Sequence, residues 1–122
     1  MKILAIDDQK LVLIPLEVRL KELGYDIITE TSALKGIELF DSINPDLVIV
    51  DINMPETSGI EVVKHIRQNR KSDTPIMILS GNTDDDIISE AFDLGASDYM
   101  KKPLSLQEVC SRTKRLIGVP EI

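Results

Sequence analysis

Five short apolar runs constrain the architecture of this chain more than any other feature: Ile3-Leu4-Ala5-Ile6, Asp26-Ile27-Ile28, Leu47-Val48-Ile49-Val50, Ile76-Met77-Ile78-Leu79 and Tyr99-Met100. Successive side chains of a strand point to opposite faces, so a strand with one wet face alternates apolar and polar residues. The longer runs do not alternate. They read as strands buried on both faces, as in a parallel sheet covered by helices above and below. Between them lie helix-period segments with apolar stripes at Val12/Leu16/Leu20/Leu23, Ile37/Phe40, Val62/Val63/Ile66, Ile87/Ile88/Ala91/Leu94 and Leu106/Val109/Cys110/Thr113/Leu116/Ile117. Strict alternation with right-handed crossovers predicts an α/β fold, a doubly wound five-stranded parallel sheet with five helices. A chain of 122 residues has room for one such core, expected over residues 1–118, with 119–122 as a tail or the start of a linker.

Helix punctuation fits this division. Ser105 followed by Glu108 is a capping-box pattern, and Thr83 ahead of Asp84, Asp85 and Asp86 places a cap and negative charge at a helix start. Gly24 and Gly95 fall where two helices should stop. Pro15 conflicts with the first helix, lacking a donor and crowding the preceding turn, so a kink or a late helix start is expected there.

Composition excludes several functions. Acidic residues outnumber basic ones 21 to 14, giving a formal charge of −7, which opposes a general grip on a nucleic-acid backbone. Two Tyr, two Phe and no Trp leave no base-stacking platform. The single Cys110 rules out an internal disulfide and a multi-cysteine metal site, in keeping with a reducing cytoplasm. The first apolar run meets Asp7-Asp8 too early for a signal-peptide core or a membrane span, so neither membrane nor direct nucleic-acid contact is expected.

In doubly wound folds the ligand site lies beyond the carboxyl ends of the strands. Those ends carry Asp7-Asp8, Asp51-Ile52-Asn53, Ser80-Gly81 and Lys102-Pro103. Three converging carboxylates repel one another unless a cation offsets them, and Mg²⁺ is the first choice because it takes one or two carboxylates and keeps waters; Mn²⁺ also suits such a site. Lys102 facing the cluster is able to pair with Asp51 at rest or with an anion carried on it. A phosphoryl group fits that arrangement, with Asp51 as nucleophile and Ser80 as a hydroxyl donor to its oxygens.

The chain resembles the receiver domain of two-component response regulators over essentially its whole length. The resemblance is carried by Asp7-Asp8, by Asp51-Ile52-Asn53-Met54-Pro55 with Gly59 eight residues after the aspartate, by Ser80-Gly81 and by Tyr99-Met100-Lys101-Lys102-Pro103. It implies a flavodoxin-like strand order of 2-1-3-4-5. It implies that Asp51 takes a phosphoryl group from phosphohistidine on a sensor histidine kinase or a histidine phosphotransfer protein. Asp8 and Asp51 are then direct Mg²⁺ ligands, Asp7 acts directly or through water, and the main-chain carbonyl of Asn53 is a further ligand. Lys102, the lysine before Pro103, matches the family position, leaving Lys101 as a surface neighbour. Ser80 and Tyr99 stand at the switch positions, whose inward movement alters the face of the fourth helix, fifth strand and fifth helix for a downstream effector domain or protein. Leu104 replaces a common Phe, and Asn53 and Asn82 occupy positions that tune acyl-phosphate hydrolysis.

Competing readings remain open at this stage. A flavodoxin-type electron carrier needs a hydroxyl- and glycine-rich loop where Asp7-Asp8-Gln9-Lys10 stands, and an aspartate phosphatase needs an acid where Asn53 stands. A receiver-like interaction module that is never phosphorylated is the main alternative. The run Leu11-Val12-Leu13-Ile14 exceeds what one helix face can bury, so it is either core distorted by Pro15 or a dock for a helix of the phosphodonor protein. His65 reads as a surface or boundary residue, and Cys110 as an inert buried thiol.

Overall fold

Each apolar run becomes a strand of one parallel sheet in the computed structural model, which describes residues 1–55, 57–81 and 85–120. The elements are β1 (Lys2–Ile6), α1 (Lys10–Glu22), β2 (Asp26–Glu30), α2 (Ala33–Ile43), β3 (Leu47–Asp51), α3 (Gly59–Lys64), β4 (Ile76–Ser80), α4 (Asp85–Asp93), β5 (Asp98–Lys101) and α5 (Leu106–Ile117). The strand order is β2-β1-β3-β4-β5, all parallel, which is the expected flavodoxin-like order.

The two-residue period of the strands divides the core between the faces of the sheet. Leu4, Ile6, Val48, Val50, Ile76 and Ile78 pack with Phe40, Val62, Val63, Ile66 and Ala91 on one side. Ile3, Ala5, Leu47, Ile49, Met77 and Leu79 pack with Leu13, Leu16, Leu20, Val109 and Cys110 on the other. Every residue of β3 and β4 is buried, and the runs were continuous because both faces are covered.

The first helix departs from expectation in its phase, and of the two effects expected of Pro15, a kink or a late start, the late start is not seen. Its buried residues are Leu13, Leu16 and Leu20, while Val12 and Leu23 are only half-buried. Four consecutive apolar residues leave the helical phase undetermined, and contact with the sheet selects Leu13. The same phase leaves Leu11 88% exposed, Ile14 57% and Val18 53%. Nor is there a late start, since α1 begins at Lys10 and runs through Pro15. The donor that Pro15 lacks would have served the carbonyl of Leu11, a residue open to solvent, where water can replace it.

Elsewhere the punctuation is met in part. Gly24 and Gly95 take φ of +94° and +112° just beyond α1 and α4, a conformation that suits glycine. Ser105 Oγ accepts from the Glu108 N–H at 3.3 Å, but the Glu108 carboxylate turns to Arg112 Nη2 at 2.7 Å, so only the hydroxyl half of the expected box is seen. Asp85 and Asp86 occupy the first turn of α4, whereas Asn82, Thr83 and Asp84 lie outside the described residues. Of the expected α4 stripe only Ala91 is buried; Ile87, Ile88 and Leu94 are partly covered.

A π-helical turn, His65–Asn69, continues α3. Within it Arg67 donates to the carbonyls of Gly95 at 3.0 Å and Ser72 at 2.7 Å, tying the end of this helix to the loop after α4.

The loop after β3 is compact. Ser58 Oγ donates to the Ile52 carbonyl at 3.0 Å and accepts from the Ile60 N–H at 3.2 Å, and a Cβ on Gly59 would overlap the Asp51 carbonyl oxygen. Gly59→Ala is therefore expected to cost about 1–3 kcal/mol, because backbone cannot yield. Gly36→Ala, where the obstacle is the far end of the Ile6 side chain, is expected to cost less. Urea denaturation of the two variants checks the ranking.

Candidate functional site

Parallel register brings the strand ends together. Asp7 follows β1, Asp51 closes β3, Ser80 closes β4 and Lys102 follows β5, with Ile6 paired to Val50, Asp51 to Leu79 and Ser80 to Lys101. A crevice of about 300 Å³ opens at this edge, lined by Asp8, Gln9, Asp51, Asn53, Gly81 and Lys102.

The charges are unevenly exposed. Asp7 is 0% exposed and Asp51 2%, while Asp8 lies open at the mouth. One oxygen from each of the three carboxylates falls within 4.8 Å of the others. Lys102 Nζ lies 2.7 Å from Asp7 Oδ2, 3.0 Å from Asp51 Oδ2 and 3.1 Å from Gln9 Oε1. Lys101 is exposed, so Lys102 is the lysine that enters the crevice. The Lys102–Pro103 peptide is cis.

These neighbours set the protonation preferences. Burial raises the Asp7 carboxyl above its ordinary range and the Asp51 charge adds to this, against the paired Lys102 ammonium and a hydrogen bond from the Gln9 N–H. Burial works against the Lys102 ammonium, but its pairing with Asp7 and Asp51 outweighs this and the net shift is upward. The ammonium stays charged at neutral pH. It faces three carboxylates, so the cluster keeps an excess of negative charge.

Those groups fit a hard divalent cation. Asp7 Oδ2 is fully buried, and its contact with Lys102 is an ion pair not aligned as a hydrogen bond. A buried oxygen without an aligned donor, beside two further carboxylates, is a donor set suited to a metal that prefers oxygen. Asp7, Asp8 and Asp51 are able to hold such an ion.

Ser80 is 1% exposed, and its Oγ accepts from Asn53 Nδ2 at 2.8 Å. The Asn53 N–H donates to Asp51 Oδ1 at 2.9 Å. Tyr99 stays outside the crevice lining, half-buried against the α3 and α4 side of the core, with its carbonyl accepting from Arg112 Nη1 at 2.8 Å. His65 bonds Asp41 Oδ1 at 2.8 Å and takes no part in the crevice lining, and Cys110 is buried on the other face of the sheet. Sequence reasoning missed the Gln9 side chain and the Asn53 carboxamide, since both act through rotamers that no local pattern reveals.

A family model described as the response regulator receiver domain matches residues 3–114. The chain is similar to the alkaline phosphatase synthesis transcriptional regulatory protein PhoP of Bacillus subtilis, 36% identical over 121 residues, covering 99% of this chain and 50% of that protein. It is 35% identical to the cell cycle transcriptional regulator CtrA of Caulobacter vibrioides, covering 96% of this chain and 50% of that one. It thus spans about half the length of these relatives. Among solved structures, chemotaxis protein CheY4 of Vibrio cholerae superposes with a TM-score of 0.87 at 27% identity, covering 94% of this chain and 97% of that one. A two-component response regulator from Clostridium difficile does so at 0.88 and 28%, covering 95% and 94%. Among the described residues no helix is long and apolar enough to cross a membrane.

The Asp7 carboxylate is charged at a cost to folding at neutral pH, because its folded-state value lies above the ordinary one. Asp7→Asn is therefore expected to raise the urea midpoint of the metal-free protein at pH 7, while the further stabilisation by millimolar Mg²⁺ expected of the wild type is lost. Paired denaturation curves with Mg²⁺ and with chelator measure both effects.

Proposed function

The chain belongs to the response regulator receiver domain family, and from that premise we propose that it is a phosphoacceptor domain in which Asp51 receives a phosphoryl group from phosphohistidine. The observation that carries this reading is the pairing of Asp51 Oδ2 with Lys102 Nζ at 3.0 Å beside Asp7 and Asp8, at the end of a fully buried strand. A carboxylate oxygen of Asp51 attacks phosphorus in line, the N–P bond of the donor breaks, and the imidazole nitrogen leaves with the electron pair and takes a proton. Hydrolysis returns the carboxylate and inorganic phosphate. The residues to hold Mg²⁺ are Asp7, Asp8, Asp51 and the Asn53 carbonyl; when bound, the ion offsets charge on the phosphoryl oxygens. Lys102 supplies the fixed positive charge opposite, and Ser80 a neutral donor.

Ser80 and Tyr99 are the proposed switch. A new dianion on Asp51 favours the state in which both have moved inward, and the surface of α4, β5 and α5 changes with them. Turning a 1:99 population into 99:1 needs a differential of about 5.5 kcal/mol. The receiver spans residues 1–118 in this reading, it is not a metabolic enzyme, and it works in the cytoplasm with a sensor histidine kinase or phosphotransfer protein upstream. The PhoP and CtrA relatives are named as transcriptional regulators, which supports a downstream effector domain or protein as the output. The reading in which the domain is an unphosphorylated interaction module would leave the buried Asp7–Lys102–Asp51 cluster without a task.

Ile14 and Val18 lie exposed on α1, and Leu11, Val12 and Pro15 of the same helix line a groove of about 550 Å³ that reaches Lys102 and Leu104. It is the proposed dock for a helix of the phosphodonor protein. Leu13 is buried, so substitution there would test packing and not docking.

Two outcomes are expected. Intact-protein mass after incubation with acetyl phosphate should rise by one base-labile phosphoryl group, only with Mg²⁺ present and not in Asp51→Asn; a folded, Mg²⁺-binding wild type that gains nothing would favour the interaction module or a strict need for a protein donor. The double change Leu11→Gln and Ile14→Gln should slow transfer from a phosphohistidine protein about tenfold or more while leaving the acetyl phosphate rate unaltered, consistent with the loss of two apolar contacts.

A further inference from the structure

Asn53 links two parts of the site. Its main-chain N–H donates to Asp51 Oδ1 at 2.9 Å, and its carboxamide Nδ2 donates to Ser80 Oγ at 2.8 Å. One residue of the loop after β3 therefore grips both the carboxylate and the hydroxyl that closes β4. Asn53 itself is exposed and lines the crevice, whereas Ser80 is 1% exposed. The carboxamide is the solvent-facing partner of a buried hydroxyl.

We propose that the Asn53 carboxamide is a positioning residue, a latch that holds Ser80 in its resting orientation and is released by the phosphoryl group itself. The proposal rests on the reading of Asp51 as phosphoacceptor and Ser80 as switch, and adds to it what keeps the switch off. Lys102 occupies one oxygen of Asp51 and the Asn53 N–H the other, so a group attached to Asp51 enters the crevice between these two residues. An anionic phosphoryl oxygen accepts a hydrogen bond roughly twice as strong as one to a neutral hydroxyl. The Asn53 Nδ2 then exchanges Ser80 Oγ for that oxygen. Ser80, no longer held by Asn53, turns its own O–H toward the same group. The exchange makes the incoming charge both the signal and the release.

The test reads the protein at rest, without phosphate or Mg²⁺. Backbone amide resonances of Gly81 and Tyr99 are recorded for the wild type free and then bound to Mg²⁺–beryllofluoride, a phosphoryl mimic, which gives the two ends of the scale. Asn53→Ala and Asn53→Leu both remove the donor, and the second keeps side-chain bulk. Both are expected to move the resting resonances along the line toward the mimic-bound position, corresponding to about a two- to tenfold rise in the inward population, the weight of one neutral hydrogen bond. In a Ser80→Ala background the same changes should move nothing. Resting positions unaltered by either Asn53 variant, a shift in the alanine variant only, or a shift that persists without Ser80 would each overturn the latch while leaving phosphorylation of Asp51 intact. A wild type that does not respond to beryllofluoride would overturn the phosphoacceptor reading and the latch together.

Discussion

The ammonium of Lys102 is the constraint on which the carboxyl edge of the sheet depends. It lies 2.7 Å from Asp7 Oδ2 and 3.0 Å from Asp51 Oδ2, two carboxylates that are almost wholly buried on hydrogen-bonded neighbouring strands. Like charges in such positions cannot separate, because the ladder between β1 and β3 fixes their distance. A cation must come to them, and the strand that brings it, β5, lies beyond β4. The Lys102 N–H is anchored on the Ser80 carbonyl at 2.8 Å, and a flexible four-carbon stem spans the rest. Removing the lysine would strand two buried carboxylates, so it holds the resting edge of the sheet together.

That precision rests on the sheet. β1, β3 and β4 have almost no exposed side chains, and their residues alternate between two packed clusters, so the ends of the strands are fixed by the whole core. The loops above them are correspondingly tight: the β3 exit is pinned by Ser58, and Gly59 approaches the Asp51 carbonyl more closely than any side chain allows. Apolar burial supplies the stability, and the charged edge draws on it.

This division of labour explains what the sequence made legible. Strands buried on both faces must be continuous in apolar residues, and in a parallel sheet the residues that follow them meet at one edge, so the meeting of Asp7, Asp8, Asp51 and Ser80 could be read from position, while the choice of Lys102 over Lys101 needed the family resemblance. The phase of α1 could not, because Leu11 to Ile14 are chemically alike and only contact with the sheet distinguishes Leu13. The π-helical turn after α3 has no local signature either; its Arg67 bonds carbonyls 28 and 5 residues away. Glu108 was expected to cap α5, but Arg112 one turn on competes for its carboxylate and wins. Gln9 and the Asn53 carboxamide escaped notice because their partners are set by rotamers across the crevice.

The electrostatics of the edge also order the events that the proposed chemistry requires. Three carboxylates against one ammonium leave excess negative charge, which repels a phosphate dianion arriving alone. A divalent cation held there would cancel that excess, so in the proposed chemistry the repulsion of a phosphodonor would be lifted once the acidic cluster is neutralised. Lys102, meanwhile, is hydrogen-bonded to Asp51 and Gln9 and ion-paired with Asp7. To reach a phosphoryl oxygen it must give one up, and Gln9, neutral and exposed, is the acceptor that costs least to abandon. The buried acids keep the lysine in place, and the amide that neither carries charge nor lies buried leaves it free to follow the phosphoryl group.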